Sequence, residues 1–333
     1  MSIPAMKIEH SINLTRRAFV GGMSASLVAC AAPRSTWSKT TADVIIIGAG
    51  LAGLHAASLI EKAGYKAILL EGNSRTGGRL HTLDDLPGKP DAGGIQVGAG
   101  YNRFHAIADR LDVERYVPPP SPRGSLYNIG GQSLTADQWP TSPRNILAST
   151  EKSINPDGLF FSYLAEMPKI ANVGDWTTAE AQRLDISLRE YLSAQGASAE
   201  ALRLMEANLN GNSLDEQSAL HMARSLAIFR AGGAGPTRYV RGGSQRMTDA
   251  MTNALRSDIS LDSNVIAIAE EGDGVEVSLA DGRKFGARHV ISTIPFSVLR
   301  TIRLKAALPV PVQRTVAQLP YTRASFAYLL ADD

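Results

Sequence analysis

The sequence is poor in the residue types that disulfides and metal sites require. Its 333 residues include one cysteine, Cys30, and 6 histidines that form no HExxH-like cluster. A single cysteine can form neither an intrachain disulfide nor a cysteine-based metal site. We therefore expect no disulfide crosslink and no bound metal ion.

An excess of one charge is missing as well. There are 34 basic and 32 acidic residues, for a net charge of +2. This balance predicts no nucleic-acid partner and no attraction to an anionic membrane. After the N-terminal segment, no apolar run approaches the roughly 20 residues of a membrane-spanning helix.

What is present is ordinary globular material. Hydrophobic residues make up 44% of the chain and charged residues 20%, which allows a large core. The length predicts one large or two medium domains.

Residues 1–41 resemble an export leader rather than part of a fold. The segment Thr15–Val20 contains the Arg16-Arg17 pair of the twin-arginine signal, and a weakly apolar stretch follows from Ala18 to Ala32. That order matches a signal peptide whose apolar region is too short to be a stable anchor. The resemblance implies export by the twin-arginine machinery to the periplasm or beyond. The alternative is a chance arginine pair in a disordered tail.

Cys30 has two interpretations, and the sequence leaves both open. In Leu27-Val28-Ala29-Cys30 it resembles the lipidated cysteine of a lipoprotein, which implies a membrane anchor. Otherwise it is a small apolar residue near an alanine-rich cleavage site. Under either interpretation, residues 31–41 form a flexible tether or a discarded linker.

The stretch Asp43–Thr82 has the pattern of a dinucleotide-binding unit. The apolar run Val44–Ile47 predicts a strand buried on both faces of a parallel sheet. A glycine-rich turn follows, and a helix is predicted from Leu51 to Ala63, ended by Gly64. A second strand is predicted over Lys66–Leu70.

The glycines and the acid of this unit have expected physical roles. Gly48 permits the tight turn, Gly50 lets backbone approach a pyrophosphate, and Gly53 lets the helix pack close to the strand. The helix N-terminus offers unpaired N–H groups to phosphates. Glu71, after the second strand, is placed to accept hydrogen bonds from an adenosine ribose and would repel the 2′-phosphate of NADP.

The residues after Glu71 resemble the FAD-containing amine oxidase superfamily. Arg75-Thr76-Gly77-Gly78-Arg79 is similar to that family's extended fingerprint. The resemblance implies FAD as the cofactor, with Arg79 neutralising the pyrophosphate. The alternative is a generic glycine-rich loop with two solvated arginines. The cofactor-binding positions implied in this unit are Gly48, Ala49, Gly50, Leu51, Ala52, Gly53, Glu71, Gly72, Gly78 and Arg79.

Two further segments extend the resemblance to monoamine oxidases and their bacterial relatives. Asp91–Gly98 resembles the segment whose backbone lies against the flavin ring, and Tyr239–Met247 resembles the segment that returns to the FAD domain. Family members often have an aromatic residue where Gln96 stands. The ring contacts implied are Gly93, Gly94, Ile95 and Gln96.

Val265 matches a family residue whose backbone binds the adenine end of FAD. An ordinary strand residue is the alternative, and both descriptions can hold. Turn signals at residues 272–274 and 280–282 predict a three-stranded meander after it. His289–Pro295 then resembles the buried return strand of the parallel sheet.

The middle of the chain resembles the family's substrate domain. A hairpin is predicted over Tyr127–Gln132, and helices are predicted over Ser187–Gln195, Ala199–Asn210 and Glu216–Arg230. By the resemblance, Asn208 and Leu209 line the substrate pocket. The alternative is a helix-end asparagine and a core leucine.

The resemblance implies an α/β fold with a Rossmann-like FAD-binding domain of the glutathione-reductase type and an interleaved α+β substrate domain. The expected FAD-binding domain comprises residues 42–115 and 238–300. The expected substrate domain comprises residues 116–237 and 301–333. It is expected to be incomplete, because the family continues beyond the residue that matches Asp333 with strands, aromatic residues and a closing FAD segment.

The catalytic residues stay unknown at this level, because the resemblance implies flavin-centred chemistry. Phe326 falls about where many family members place a lysine near the flavin N5. Phenylalanine cannot hold a water there, which puts oxidase activity in question. No Ser/His/Asp set or carboxylate pair is evident.

The activity implied is oxidation of an amine by hydride transfer to flavin N5. The imine would hydrolyse to an aldehyde, and O2 would reoxidise the flavin and yield H2O2. One alternative is a flavin dehydrogenase of the same fold that passes electrons to a quinone or carrier protein. Another is a truncated, inactive FAD-binding remnant.

Overall fold

The computed structural model describes residues 40–119, 124–233, 235–306, 308–322, 324–325 and 327–329. The Arg16-Arg17 pair, Cys30 and Phe326 lie outside the described residues. The interpretations of the export leader, the lipid anchor and the family lysine position therefore stay predictions.

The described chain contains both strands and helices. The strands are β1 (Thr40–Ile47), β2 (Ala67–Leu70), β3 (Gln96–Val97), β4 (Arg115–Tyr116), β5 (Leu126–Ile129), β6 (Gln132–Thr135), β7 (Arg238–Val240), β8 (Asp258–Ser260), β9 (Val265–Glu271), β10 (Gly274–Leu279), β11 (Lys284–Ser292) and β12 (Arg303–Lys305). The α-helices are α1 (Leu51–Lys62), α2 (Asn102–Arg110), α3 (Pro156–Leu164), α4 (Leu188–Ala194), α5 (Ala199–Ala207), α6 (Ala219–Ala231), α7 (Gln245–Asn253), α8 (Phe296–Leu299) and α9 (Val310–Gln318). Short 3-10 helices cover Val173–Thr177 and Ala181–Leu184.

A seven-stranded sheet in the order β12-β9-β10-β11-β1-β2-β8 forms the centre of the fold. Strand β1 pairs in parallel with β11 on one side and with β2 on the other. Its apolar residues are covered from both faces, and Ile45 and Ile46 are both 0% exposed. The prediction of a strand buried on both faces of a parallel sheet is confirmed.

The predicted meander forms, but the predicted return strand is not a separate element. Strands β9, β10 and β11 are antiparallel, and β11 continues from Lys284 through Ser292 to pair with β1. The expected burial of His289–Pro295 is wrong in part, because His289 and Ser292 are exposed. The pairing of β11 with β10 ends at Ala287. Beyond that residue β11 pairs with β1 on one side, so its second half is less buried than a strand that is paired on both sides.

The local predictions for the helices and the hairpin are confirmed with shifted ends. Helix α1 ends at Lys62, and Gly64 follows in the left-handed region at φ +85°. Helices α4, α5 and α6 occupy the three predicted ranges. Strands β5 and β6 form the predicted hairpin, and Gly130 and Gly131 both have positive φ, as a tight hairpin turn requires.

Three apolar clusters stabilise these elements. Ile45 and Ile47 of β1 pack into one cluster with Leu299 of α8 and Val316 of α9. The intervening β1 residues Val44 and Ile46 pack on the opposite face into a second cluster, with α1 and α7. The third cluster lies within residues 134–227 and surrounds the fully buried Trp139. The domain boundaries inferred from the sequence stay a prediction.

Within the third cluster, a buried carboxylate connects three segments. Glu151 is 3% exposed and accepts hydrogen bonds from Ser198 N and Oγ, Ala148 N and the hydroxyl of Tyr163. Burial raises the pKa of the Glu151 carboxyl, but the hydrogen bonds from Ser198, Tyr163 and Ala148 outweigh burial and leave that pKa below its usual 4.5. Burial and the carboxylate together raise the pKa of Tyr163 to about 12.

We predict that Glu151→Gln lowers the free energy of unfolding by about 1–3 kcal/mol, because an amide cannot accept every bond that the carboxylate accepts. A depressed folded-state pKa contributes stability that is present above the unfolded pKa and is lost as pH falls through the folded pKa. Urea unfolding at pH 7 and at decreasing pH below 4.5 should therefore show the two proteins converging in acid. The exposed Glu190→Gln is the control. A wild-type-like urea midpoint for Glu151→Gln at pH 7 would contradict the prediction.

Candidate cofactor site

The glycine turn lies between the end of β1 and the start of α1, and it leaves no room for a side chain at Gly48 or Gly53. A Cβ on Gly53 would stand 1.9 Å from the carbonyl oxygen of Gly48. Gly48 itself has φ +100°, and a Cβ there would meet Thr293 Oγ1 at 2.8 Å. Gly48 and Gly53 thus have the tight-turn and close-packing geometry expected of them, and their part in a cofactor site stays a prediction. The proximity of Thr293, which follows β11, has no signal in the sequence.

The first turn of α1 presents unpaired backbone donors. Its N-cap, Gly50, makes no side-chain cap, and the turn contains no acidic residue. The first helical hydrogen bond runs from Leu54 N to Gly50 O. Within the described residues, no acceptor engages the N–H groups of residues 51–53, which include Leu51 and Ala52. Such N–H groups and the helix dipole favour an anion.

Glu71 lies directly beneath the glycine turn. Its side chain is buried, and its Oε2 accepts a hydrogen bond of 2.7 Å from Ala49 N. Its Oε1 accepts bonds of 3.0 and 2.8 Å from the backbone and side chain of Asn73. A carboxylate offers about four acceptor positions, so Oε2 keeps one for a ribose hydroxyl. The ribose contact stays a prediction, and the supporting role of Asn73 was missed. Gly72, between Glu71 and Asn73 in the chain, is exposed, and a Cβ there would meet no atom within 4 Å.

The two arginines of the fingerprint have different environments. Arg75 donates to the carbonyl oxygens of Thr76, Leu80 and Gly78, at 3.1, 3.2 and 2.9 Å, and so holds its own loop in shape. Arg79 is exposed, and no described residue forms a hydrogen bond or ion pair with its guanidinium. Arg79 therefore has the environment expected of an anion-binding arginine. The structural role of Arg75 was not predicted.

The fingerprint loop lies against the glycine turn. Gly77 N donates to Ala49 O at 2.8 Å, and a Cβ on Gly78 would stand 3.5 Å from the Cα of Gly50. The two glycine-rich segments therefore lie in contact, although 28 positions separate Ala49 from Gly77 in the chain. This juxtaposition places the fingerprint loop beside the α1 N-terminus.

The predicted ring-contacting segment continues from this surface. Gly94 N donates to Arg79 O at 3.0 Å, and a Cβ on Gly93 would stand 1.9 Å from the same oxygen. Gly94, Ile95 and Gln96 are exposed. Gly93–Gln96 therefore begin next to Arg79 in the structure, and their contacts with the flavin stay predictions.

Gln96 belongs to a small sheet with two tyrosines. In the order β3-β7-β4, Gln96 pairs with Tyr239 and Tyr239 pairs with Tyr116. The Gln96 amide lies 3.5 Å from the Tyr239 hydroxyl, the two tyrosine rings meet edge to face, and Arg241 stands 4.2 Å over the Tyr116 ring. The sequence analysis did not identify this aromatic pair, because the pairing of β3 with β7 is long-range.

Val265 is the first residue of β9, and a neighbouring residue in the chain is bonded to Glu71. The peptide N–H of Ser263, two residues before Val265, donates to Glu71 O at 2.7 Å. Asn208 is different: it caps the C-terminus of α5 and is exposed, while Leu209 packs against the helical cluster. This placement fits the helix-end alternative, and a substrate contact of either residue stays a prediction.

The described residues contain no group of three or more His, Cys, Asp or Glu side chains arranged to hold a metal ion. No helix among them is both long and apolar enough to cross a bilayer.

Known proteins are similar to this chain in sequence. The sequence profile of the family described as flavin containing amine oxidoreductase matches residues 51–332. An L-amino-acid oxidase of Siganus canaliculatus is 29% identical over 279 residues, which cover 81% of this chain and 51% of that protein. An (S)-6-hydroxynicotine oxidase of Paenarthrobacter nicotinovorans is 28% identical over 281 residues, which cover 80% of this chain and 63% of that protein. The chain thus spans less than two thirds of the length of these relatives.

The fold is also shared with a solved structure. Cyclohexylamine oxidase from Brevibacterium oxydans IH-35A has a TM-score of 0.65 and 26% identity, over 83% of this chain and 63% of that one. The predicted α/β fold of FAD-dependent amine oxidases is confirmed.

We predict that Gly53→Ala disrupts the glycine turn, because its Cβ would collide with the backbone of Gly48. Overpacking of this kind costs about 1–3 kcal/mol or more. Thermal unfolding of the purified variant should show a lower midpoint than wild type. Gly174→Ala, where a Cβ meets no atom within 4 Å, is the control and should change the midpoint little. Equal midpoints for Gly53→Ala and wild type would contradict the prediction, because they would show that the close approach of Gly53 to Gly48 does not limit stability.

Proposed function

We propose, from the premise that this chain belongs to the flavin-containing amine oxidoreductase family, that it oxidises a small-molecule amine with FAD as its cofactor. The observation that carries the proposal is the match to the family over residues 51–332. The donors and acceptors around the glycine turn support it, because their chemistry suits a dinucleotide.

The residues present fit FAD. The unpaired N–H groups at the start of α1 and the guanidinium of Arg79 would hold the pyrophosphate. The remaining acceptor position on Glu71 Oε2 would bind a ribose hydroxyl. The exposed backbone of Gly93–Gln96 would lie along the flavin ring.

The cofactor carries the redox chemistry and the chain supplies binding and orientation. When bound, FAD would supply the two-electron acceptor, at N5, for the hydride that leaves the α carbon of the amine, and O2 would be the terminal oxidant, reduced to H2O2. The imine product would hydrolyse to an aldehyde and ammonia or a shorter amine. At the end of the ring-contacting segment, Gln96 and its neighbour Tyr239 offer hydrogen-bonding groups that can orient a substrate.

A second candidate is a flavin dehydrogenase that passes electrons to a quinone or carrier protein. Phe326 favours it, because its side chain cannot hold a water near N5 as the family lysine does. The two candidates share the cofactor and the amine, and differ in the electron acceptor.

We also propose export of the folded protein by the twin-arginine machinery to the periplasm, with Cys30 as a lipid-anchor site. The Arg16-Arg17 pair and the apolar residues after it support export. A flavin is loaded in the cytoplasm as the chain folds, which suits a pathway for folded cargo. Retention of an Arg16→Lys, Arg17→Lys variant in the cytoplasm, with wild type in the periplasm, would support the proposal; equal export would contradict it.

We predict that the purified chain shows flavin absorption near 370 and 450 nm, values that are roughly those of any flavin. Amines that bleach the 450 nm band without air, and that produce H2O2 in air, would support the oxidase. Bleaching that is reversed by an artificial quinone but not by air would support the dehydrogenase. A colourless protein that does not bind added FAD would contradict both and favour an inactive remnant.

We predict that Arg79→Ala raises the Kd for FAD about 10- to 100-fold, since a hydrogen bond to a charged group contributes about 1.5–3 kcal/mol. Because Arg79 is exposed, the thermal unfolding midpoint of the Arg79→Ala variant should stay close to that of wild type. Fluorescence titration of the apoprotein measures the Kd. The exposed Arg110→Ala removes the same charge elsewhere and should bind FAD normally. Equal losses in both variants would point to net charge rather than to a specific contact.

A further inference from the structure

Asp91 connects two distant parts of the chain through one carboxylate. Its Oδ1 accepts hydrogen bonds from Thr82 Oγ1 at 2.7 Å, Ser244 N at 2.9 Å and Ser244 Oγ at 3.0 Å. Ser244 lies 153 positions further along the chain. Both partners are buried, with Thr82 and Ser244 each 3% exposed. Bonds of this kind, to a charged acceptor away from solvent, are the stronger class.

The two segments that carry the partners of Asp91 are also joined directly by hydrogen bonds. Gln245 N donates to Thr82 Oγ1 at 3.2 Å, and Thr82 N donates to Gln245 Oε1 at 3.3 Å. Gly243, at φ +102°, brings its backbone so close that a Cβ there would stand 2.3 Å from Thr82 Oγ1. The start of α7 and the backbone around Thr82 therefore form one tightly packed support for Asp91.

The segment that leaves this support is the one expected at the flavin ring. Ala92 N donates to His81 O at 2.7 Å, and Gly94 N donates to Arg79 O at 3.0 Å. Further on, Gln96 pairs with Tyr239 in β7. The ring-contacting segment is thus held at both ends by residues 238–245: at Asp91 through side-chain hydrogen bonds and at Gln96 through strand pairing.

The support is separate from the adenosine end of the site. The hydrogen bonds of the Asp91 carboxylate run to Thr82 and Ser244, whereas Glu71 is bonded to Ala49 and Asn73. The Asp91 carboxylate can therefore affect the position of Gly93–Gln96. Within the described residues, it makes no direct hydrogen bond to those expected to hold the ribose or the pyrophosphate.

We propose that Asp91 is a positioning residue for the flavin-ring end of the site: by joining Thr82 to Ser244 it fixes the backbone of Gly93–Gln96 where the isoalloxazine ring binds. The inference rests on the proposed function, because it requires FAD as the ligand. It assigns to Asp91 no contact with FAD or with the amine.

The test compares two ligands that share the adenosine diphosphate half. Apoprotein prepared from the full chain is titrated with FAD by fluorescence and with ADP by calorimetry. Asp91→Asn should raise the Kd for FAD about 10-fold or more, since it weakens charge-assisted bonds and leaves buried donors poorly paired. Its Kd for ADP should stay within about two-fold of wild type, because the adenosine end is untouched. At saturating FAD, the visible bands of the variant should shift from those of wild type, because the ring environment changes.

Asp84→Asn is the matched control. Asp84 lies in the same loop and forms an ion pair with Arg246 of α7, so it joins the same two segments at the surface. Exposed ion pairs contribute little, and this variant should bind FAD and ADP as wild type does. A second comparison covers the case in which Asp91→Asn does not fold: Thr82→Val, which removes a hydroxyl that Asp91 accepts from, should lose FAD selectively, and Thr82→Ser, which keeps it, should not.

The outcomes separate the inference from the proposed function. Selective loss of FAD with retained ADP supports the positioning role. Equal weakening of FAD and ADP would overturn it in favour of a general structural role, and so would unchanged FAD binding with an unchanged visible spectrum. A wild-type protein that binds neither ligand would overturn the proposed function and this inference with it.

Discussion

The hydrogen bond from Ala49 N to the buried carboxylate of Glu71 is the contact on which the candidate site depends. It ties the glycine turn after β1 to the end of β2, and the turn in turn holds the N-terminus of α1 and receives Gly77 of the fingerprint loop. The backbone of Glu71 is bonded to Ser260 and Ser263 on the far side. One short polar contact therefore sets the relative positions of the cofactor-binding segments at this end of the sheet. Asn73 keeps the carboxylate oriented, which makes the acid both a structural element and a candidate ligand.

Much of this arrangement is readable from the sequence because it is local. The run Val44–Ile47, the spacing of Gly48, Gly50 and Gly53, and the acid at position 71 each follow from strand burial, turn geometry and helix packing over short separations. The helices and the hairpin follow from the same kind of local pattern. Their ends move by a few residues because caps and tertiary contacts decide where an element stops.

What the sequence did not reveal depends on the folded shape of a loop or on long-range strand pairing. Arg75 and Arg79 are the same residue type four positions apart. Only the folded loop shows that Arg75 donates hydrogen bonds to carbonyl oxygens while Arg79 is exposed. Tyr239 becomes a neighbour of Gln96 only through the pairing of β3 with β7. The joining of β11 into one strand was missed for a similar reason: its two halves have different pairing partners, so their patterns read as two elements.

The pairing of β1 with β11 has a consequence for the newly made chain. Thr293, just after β11, donates its hydroxyl to Ile47 O at a separation of 246 positions, so β1 acquires that neighbour only after the residues of β11 have been synthesised. Until then the β-branched run Val44–Ile47 presents an unpaired edge of the kind that promotes intermolecular strand pairing. Contacts between such distant segments also close slowly. Synthesis therefore passes through a long interval in which β1 lacks its β11 neighbour and is incompletely covered.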